Sequence, residues 1–526
     1  MSGPATESEV AARDDAHLRS LGIRPELQRS LGFLSNFAVA FSYISVSTGT
    51  YTLIALGLGV GGPAFFWSWP IVILGQTFVA LNFAELASHF PVAGSIYQWS
   101  KRLTHRTLGW FTGWFYFWAG LVTVTAVAAT VPLVLSSIFG FGLSDPSPIP
   151  GINNLIFYGL LSLITSTVIN IVGVRILSLV NNIGVAAEIL GMAVLAIVLL
   201  IVGRHQDFSV LTQTAGVETP ETGGYLPVFA IAMFMSLFVV YGFDTAGTFG
   251  EETIDASRQA PRGILSAIWV SGVIGAIFLL AIILATPDLE ASKTDTAPIA
   301  TSIIAGLGET WGNVYLYVIL VAIYVCVTAI QGATVRLLFS MGRDGRVPLG
   351  SMWGQVNSSF KTPANAAVAV GVLAAIPFFI TDSPGLLATG ATGLIYLSYL
   401  MANIGVFAAR RRGWPHKGAW FNLGSWGTII NVLALIYGGL MVINFALWKS
   451  PLFGNFGSDL RDFTNPSLTI ITSGGNKIGF LPDIPFFEAT ILLILVTGAV
   501  YYYATGQSRK ADITEADALT GEAVIA

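Results

Sequence analysis

Two carboxyl side chains stand alone in long apolar stretches of the sequence, and both could do chemistry there. Glu188 is the only charged residue between Arg175 and Arg204, and Asp244 directly follows the charge-free stretch 222–243. A charge inside an apolar segment is costly and usually functional. Either carboxyl could take up and release a proton, and Asp244 could instead bind an ammonium group. The structural alternatives are a helix cap at Asp244 and a polar side-chain partner at Glu188.

Small polar residues interrupt two of the apolar stretches. Residues 42–50 read SYISVSTGT and residues 241–248 read YGFDTAGT. Gly disfavours helix, and Ser, Thr and Asp compete for backbone hydrogen bonds, so both clusters predict an unwound point within a helix. The N–H groups freed at the start of a half-helix suit a carboxylate. The candidate residues for binding a small molecule are Ser45, Ser47, Thr48, Gly49, Tyr241, Gly242, Phe243, Asp244 and Thr245.

Two of these assignments have structural alternatives. Small residues in apolar helices also allow neighbouring helices to pack closely, which would explain either cluster without a ligand. The ring of Phe243 could close over a bound molecule as a gate, or it could belong to ordinary packing.

The composition places the chain in a membrane. Of its 526 residues, 54% are hydrophobic and 10% are charged, whereas a soluble chain carries about 25% charged residues. This excludes a soluble enzyme, a nucleic-acid-binding protein and a disordered chain. Hydropathy predicts an all-α polytopic membrane protein, the bilayer being its solvent, with twelve transmembrane helices. They cover residues 33–58, 63–87, 107–139, 152–173, 177–202, 226–250, 263–286, 313–340, 364–381, 385–409, 427–448 and 487–505.

The two interrupted helices are the first and the sixth, five helices apart. This spacing predicts two inverted repeats of five helices, each beginning with a broken helix, plus two C-terminal helices. The corresponding units are a tail at 1–32, the first repeat at 33–202, the second repeat at 226–409, the last two helices at 427–505 and a tail at 506–526.

Basic residues are distributed unevenly between the predicted loops. With the N-terminus placed in the cytoplasm, 20 of the 25 Lys and Arg residues fall on the cytoplasmic side, as the positive-inside rule requires. Both termini are therefore predicted to be cytoplasmic. The single cysteine and the scattered histidines indicate no metal or cofactor, and the absence of a P-loop argues against an ATP-driven pump.

Four short motifs, in order between about residues 33 and 365, resemble those of the amino acid–polyamine–organocation permeases. Each motif alone is weak, but their order and spacing together are specific. The first resembles the family's E-L-A-S-x-x-P-x-A-G-x-x-Y-x-W pattern, the third its E-E…P-R-x-I segment and the fourth its R…R-D-G-x-x-P pattern. They are ELASHFPVAGSIYQW at 85–99, NIVGVR at 170–175, EET with ASRQAPRGI at 251–264, and Arg336 with RDGRVP at 343–348.

The run GFDTAG at 242–247 is most similar to the amino acid/choline transporter branch of this family. The resemblance implies the five-plus-five inverted-repeat fold and a non-enzymatic permease in the plasma membrane. It also implies import of an amino acid or related amine, such as γ-aminobutyrate, by proton symport. Many relatives carry a lysine near Glu188, so a lysine-based coupling scheme does not transfer to this chain. Glu188 and Asp244 are the candidates for carrying the proton.

Several alternative functions remain compatible with the sequence. A carrier for choline or a polyamine would use Asp244 and Glu188 as negative sites, and an exchanger would move amino acids without net accumulation. From another class, a receptor or channel would bind the ligand but would not concentrate it.

Overall fold

The computed structural model describes residues 7–218, 224–292, 295, 297–381, 383–415, 419–447, 469–471, 477–479 and 486–510. The first ten helices are α1 Glu7–Ser20, α2 Phe33–Ile44, α3 Val46–Gly61, α4 Ser68–His89, α5 Ser95–Leu103, α6 Arg106–Ala128, α7 Thr130–Phe139, α8 Asn154–Val172, α9 Val174–Val202 and α10 Tyr225–Ala232. The next ten are α11 Phe234–Val239, α12 Thr245–Thr248, α13 Ala256–Ala285, α14 Leu289–Ser292, α15 Pro298–Arg343, α16 Gly350–Trp353, α17 Ala364–Ala375, α18 Pro384–Arg410, α19 Gly427–Leu447 and α20 Phe486–Ala504.

Short 3-10 helices and one hairpin complete the secondary structure. The 3-10 turns are Pro63–Trp67, Phe208–Thr212, Gly250–Glu252, Ile376–Phe379, Gly424–Trp426 and Gln507–Arg509. Strands β1 Thr469–Ile471 and β2 Lys477–Gly479 pair antiparallel, within the stretch that precedes α20.

The twelve predicted transmembrane helices are confirmed as elements. Among the described residues, nine helices are long and apolar enough to cross a membrane, and three shorter apolar helices occur at 225–239, 364–379 and 490–504. Each of these twelve overlaps one predicted span. The predicted all-helical membrane fold is therefore correct, while the boundaries proposed for the two repeats stay predictions.

Both predicted helix breaks are present. The first span divides into α2 and α3 at Ser45, whose φ of 26° and ψ of 91° leave the helical region. The sixth span is helical through α10 and α11 and then unwinds, with Gly242 at a φ of 88°, before the short α12. The expected span at 226–250 is thus not one continuous helix, because the cluster of small polar residues interrupts it.

The helices pack so that the broken spans lie at the centre. α6 packs on α18, α13 packs on α2 and α4, and α9 packs on α2, α13 and α15. Helices α8, α9 and α19 present rows of exposed aliphatic side chains to the outside, as a lipid-facing surface requires. These include Leu161, Ile164, Leu190, Ile197, Ile436 and Leu440.

The N-terminal segment is attached to the loop that follows the sixth span. The backbone N–H groups of Ser30 and Leu31 donate to the Glu252 carbonyl, each at 2.9 Å, and Ile254 N–H donates to the Leu31 carbonyl at 2.9 Å. Helix α1 adds a 2.5 Å ion pair between Arg13 and Asp255. The segment is therefore joined to the end of the broken sixth span by both backbone and side-chain contacts.

Candidate functional site

A buried cluster of oxygen atoms surrounds the break in the first span. One oxygen of the Glu188 carboxyl, which comes from α9 and is 2% exposed, accepts three hydrogen bonds there. The donors are the Ser45 hydroxyl at 3.0 Å, the Ser47 hydroxyl at 3.0 Å and the Ser47 backbone N–H at 3.2 Å. Ser45 and Thr48 hydroxyls are 2.5 Å apart. The predicted partner of Glu188 is therefore the start of α3.

A small cavity lies beside this cluster, between the two broken spans. Its volume is about 10 Å³, roughly the room for one water molecule, so in this conformation it is too small to hold an amino acid. All of the side chains around it are uncharged. They are Tyr43, Ile44, Thr48, Gly49, Thr123, Val127, Phe238, Tyr241, Cys326 and Ile330.

The break in the sixth span depends on a glycine. Gly242 has a positive φ, and a Cβ added to it would lie 1.9 Å from Cδ1 of Tyr43. Its backbone N–H, which no helix uses, donates to the hydroxyl of Tyr399 on α18 at 2.9 Å. Only glycine gives this backbone conformation without strain and leaves room for the Tyr43 ring. The ring in turn reaches the wall of the cavity.

Asp244 lies in the same break but connects helices rather than lining the cavity. Its carboxyl is fully buried and accepts hydrogen bonds from Ser95 at 2.9 Å, from Tyr116 at 2.6 Å and from Tyr399. Tyr116 comes from α6 and Tyr399 from α18. The side chain makes no capping hydrogen bond to α12, so Asp244 does not cap this helix in the present conformation.

Neither of the two residues that flank Asp244 lines the cavity. The ring of Phe243 packs against those of Phe83 and Tyr399, with centroids 6.1 Å and 5.5 Å away. The Thr245 hydroxyl is buried and has no hydrogen-bond partner in the structure. In this conformation Phe243 therefore belongs to an aromatic cluster, not to a lid over the cavity.

Three of the nine predicted binding residues line the cavity: Thr48, Gly49 and Tyr241. Ser45 and Ser47 face Glu188 instead, and 242–245 pack against neighbouring helices. The assignment as a whole stays a prediction. Sequence reasoning did not select the cavity residues of the third and eighth spans, which are Thr123, Val127, Cys326 and Ile330. Both helices carry several other polar residues, so the sequence does not single out Thr123 as part of the cavity wall.

Ion pairs close the end of the bundle at which α1 lies. Glu252 and Arg336 form a two-pronged pair with both distances at 2.9 Å, and both side chains are at most 1% exposed. Glu251 and Arg343 form a second one at 2.9 and 2.8 Å. Arg410 pairs with Glu85. The first two pairs connect the end of the sixth span to the eighth span.

Asp344 belongs to the same network, just beyond the end of α15. Its carboxylate accepts from Lys101 at 2.7 Å and from the Tyr97 hydroxyl at 2.9 Å. Burial raises the pKa of Asp344, but the cations Lys101 and Arg343 and the hydrogen bonds outweigh burial and lower it to about 2. The carboxylate is thus held ionised between its basic neighbours.

Metal ligands do not gather at this site. Among the described residues, no group of three or more His, Cys, Asp or Glu side chains is close enough to hold a metal ion.

Residues 31–472 match the family model described as amino acid permease, and the chain belongs to that family. It is 29% identical over 477 residues to the amino-acid permease BAT1 homolog of Oryza sativa subsp. japonica, covering 84% of this chain and 90% of the relative. It is 28% identical to amino-acid permease BAT1 of Arabidopsis thaliana, covering 82% and 87%. The thiamine transporter thi9 of Schizosaccharomyces pombe is 24% identical, with 85% and 83% covered.

The fold is similar to that of MhsT, which was solved in complex with L-phenylalanine. The TM-score is 0.57 at 15% sequence identity, over 80% of this chain and 99% of MhsT. With its family and fold established, the protein is a membrane-embedded amino acid transporter that moves a small molecule, and the class predicted from the motifs is correct.

Proposed function

We propose that the protein imports a zwitterionic amino acid, such as γ-aminobutyrate or a neutral α-amino acid, by proton symport. The observation that carries this proposal is the uncharged cavity between the two helix breaks. A buried carboxyl group lies just behind the residues that form the cavity wall. We place the protein in the plasma membrane with both termini in the cytoplasm, so that the paired end of the bundle is the inner gate.

The start of α3 suits the carboxylate of such a substrate. Thr48 and Gly49 lie in its first turn and line the cavity, where N–H groups and the positive end of the helix favour an anion. The ammonium group would meet backbone carbonyl groups of the unwound segment around Tyr241. The rings of Tyr43, Phe238 and Tyr241 would enclose the body of the substrate.

A carrier for an organic cation is the second candidate, because the similar protein thi9 is named a thiamine transporter. Such a substrate needs a negative side chain in the cavity. Asp244 is the carboxyl nearest in sequence to Tyr241, but its oxygens accept from Ser95, Tyr116 and Tyr399 and it does not line the cavity. This arrangement favours a zwitterion over a cation.

Glu188 is the proposed proton carrier, and Asp244 is the other candidate. Glu188 is buried and contacts hydroxyl and N–H groups at the start of α3, within the break of the first span. Within the described chain, no salt bridge includes Glu188, so no basic side chain holds it permanently ionised. A carboxyl in such surroundings can exchange a proton during each transport cycle.

The decisive test is uptake into proteoliposomes of a labelled panel: γ-aminobutyrate, neutral and basic amino acids, putrescine and choline. Each compound is assayed with and without an imposed pH gradient, acidic outside. Accumulation of a zwitterion that disappears with the gradient is the expected result. Accumulation of choline or putrescine alone would favour the cation carrier. Exchange without accumulation would identify an antiporter, and binding without any transport would identify a receptor.

A further inference from the structure

The N-terminus of α3 already carries a carboxyl group of the protein itself. The first hydrogen bond within this half-helix runs from Gly49 N–H to the Ser45 carbonyl at 3.1 Å. The N–H groups before Gly49 therefore need partners outside the helix. The Glu188 carboxyl accepts one of them, from Ser47, at 3.2 Å. The hydroxyls of Ser45 and Ser47 hold the same oxygen in place.

The cavity shares this helix start with Glu188. Thr48 lines the cavity, and its hydroxyl lies 2.5 Å from that of Ser45, which donates to Glu188. The carboxyl and the cavity are therefore linked through the hydroxyl groups of Ser45 and Thr48. A carboxylate bound at Thr48 and Gly49 would be the second anion on one helix N-terminus. Two like charges at the same buried helix start, shielded from water, repel each other strongly.

We propose that the ionised Glu188 carboxylate and the substrate carboxylate exclude each other at the start of α3, so that each substrate bound takes up one proton. This inference rests on the proposed function and gives it a physical basis. The proton passes from the solvent on the loading side to a Glu188 oxygen. It returns to solvent on the other side once the substrate carboxylate has left and the Glu188 anion again occupies the helix start.

Few other titratable groups face Glu188. The eighth span presents the Cys326 thiol, which donates to the Tyr43 carbonyl at 3.5 Å, and the first span presents the Tyr43 side chain near that thiol. The charged residues of α13, which also packs on α9, are Arg258 and Arg262 at its beginning, where they lie over the rings of Trp420 and Phe33. The proton linked to substrate binding is therefore assigned to Glu188.

The test measures proton uptake on substrate binding to the purified full-length protein. The substrate is the panel amino acid that wild-type proteoliposomes accumulate most, and a pH-indicator dye in weak buffer reports net protons. At a pH at which Glu188 is ionised in the empty protein, we expect one proton to be taken up per bound substrate. The apparent affinity should fall about tenfold per pH unit where Glu188 is ionised in the empty protein. Glu188→Gln should bind with an affinity independent of pH, take up no proton, and exchange substrate without accumulating it.

Glu309→Gln is the matched control, because Glu309 is an exposed carboxyl on α15, and it should behave as wild type. Binding to wild type without proton uptake would overturn the inference, even if Glu188→Gln fails to fold. Retention of the wild-type pH dependence by Glu188→Gln would also overturn it. In both cases the proposed function would stand. If wild type binds no amino acid of the panel at any pH, the proposed function and this inference both fail.

Discussion

Glu252 and Arg336 bind each other through two parallel hydrogen bonds of 2.9 Å, at a depth where neither side chain is more than 1% exposed. The guanidinium also lies 4.2 Å from the centre of the Phe249 ring. Glu252 ends the unwound sixth span and Arg336 belongs to α15. The pair therefore fixes the end of the broken sixth span to a long helix.

Removing one partner of this pair should leave an uncompensated buried charge. We expect Arg336→Met to lower the free energy of unfolding by about 3–5 kcal/mol, measured by thermal or denaturant unfolding in detergent. Adding Glu252→Leu should recover much of that loss, because no lone charge then remains. Arg204→Met is the control, since its 3.9 Å pair with Asp207 is exposed and should contribute less than about 1 kcal/mol. Equal losses of unfolding free energy in Arg336→Met and Arg204→Met would contradict the argument.

Gly242 should be required for the closed site. An alanine Cβ at this position would meet the Tyr43 ring at 1.9 Å, so Gly242→Ala must displace that ring from the cavity wall. We expect uptake to fall roughly tenfold or more. Gly140→Ala separates the clash from backbone strain, because Gly140 also has a positive φ, 71°, but has open space around its Cβ position. That control should cost about 1 kcal/mol of stability and leave uptake unchanged. Equal uptake by both variants would show that the clash is relieved without consequence.

Asp244 should matter more for stability than for coupling. Its carboxyl accepts from three hydroxyl groups, and Asp244→Asn replaces one acceptor oxygen with a donor, so at least one hydroxyl loses its partner. We expect a loss of about 1–3 kcal/mol in unfolding free energy. The pH dependence of counterflow should persist, because coupling is assigned to Glu188. Ser95→Ala, which removes a single donor, is the milder comparison. If counterflow by Asp244→Asn showed no pH dependence, Asp244 and not Glu188 would be the proton carrier.

Asp344 should give the closed end a stability that depends on acidity. Its pKa is lowered to about 2 because Lys101 and Arg343 outweigh the effect of burial, whereas an unfolded chain has a value near 3.8. The carboxylate therefore stabilises the fold above about pH 4, and this contribution disappears as the pH falls towards 2. Asp344→Asn should lower the free energy of unfolding by roughly 2 kcal/mol at neutral pH. The difference from wild type should vanish near pH 2.

The exposed Asp207 provides the control for this measurement. Its side chain is 86% exposed and lies 3.9 Å from Arg204, so Asp207→Asn should change little at any pH. A deficit of Asp344→Asn that stayed constant down to pH 2 would mean that lost packing, and not the ion pairs, accounts for it.

The helix breaks could be predicted from the sequence because their cause is local. Ser45 and Gly242 lie in runs of small polar residues whose own backbone preferences oppose a helix. The direction in which each side chain points could not be predicted in the same way. Once the backbone unwinds, the helical period no longer relates one residue to the next. Phe243 therefore packs on Phe83, although Tyr241, two residues earlier, lines the cavity.

The contributions of other spans to the site were beyond sequence reasoning for a different reason. Cys326 and Ile330 lie in a predominantly apolar helix, and no local signal in the sequence separates its cavity-facing residues from its lipid-facing residues. The partner of Glu188 could not be predicted from the sequence either. Ser47 is 141 residues away, and only the packing of α9 against the first span brings the two residues together. Long-range packing decides such contacts, and a single sequence does not encode it in its periodicity.

The attachment of α1 to the loop after the sixth span makes this helix an indicator of any movement of that loop. Any displacement of that loop must move Leu31 and α1 with it, because Leu31 pairs with the loop backbone and Arg13 holds Asp255. The native Cys326 is buried, whereas Arg19 is exposed on α1. A fluorophore on Arg19→Cys would report movement of that loop without occupying the cavity, since Arg19 does not line it.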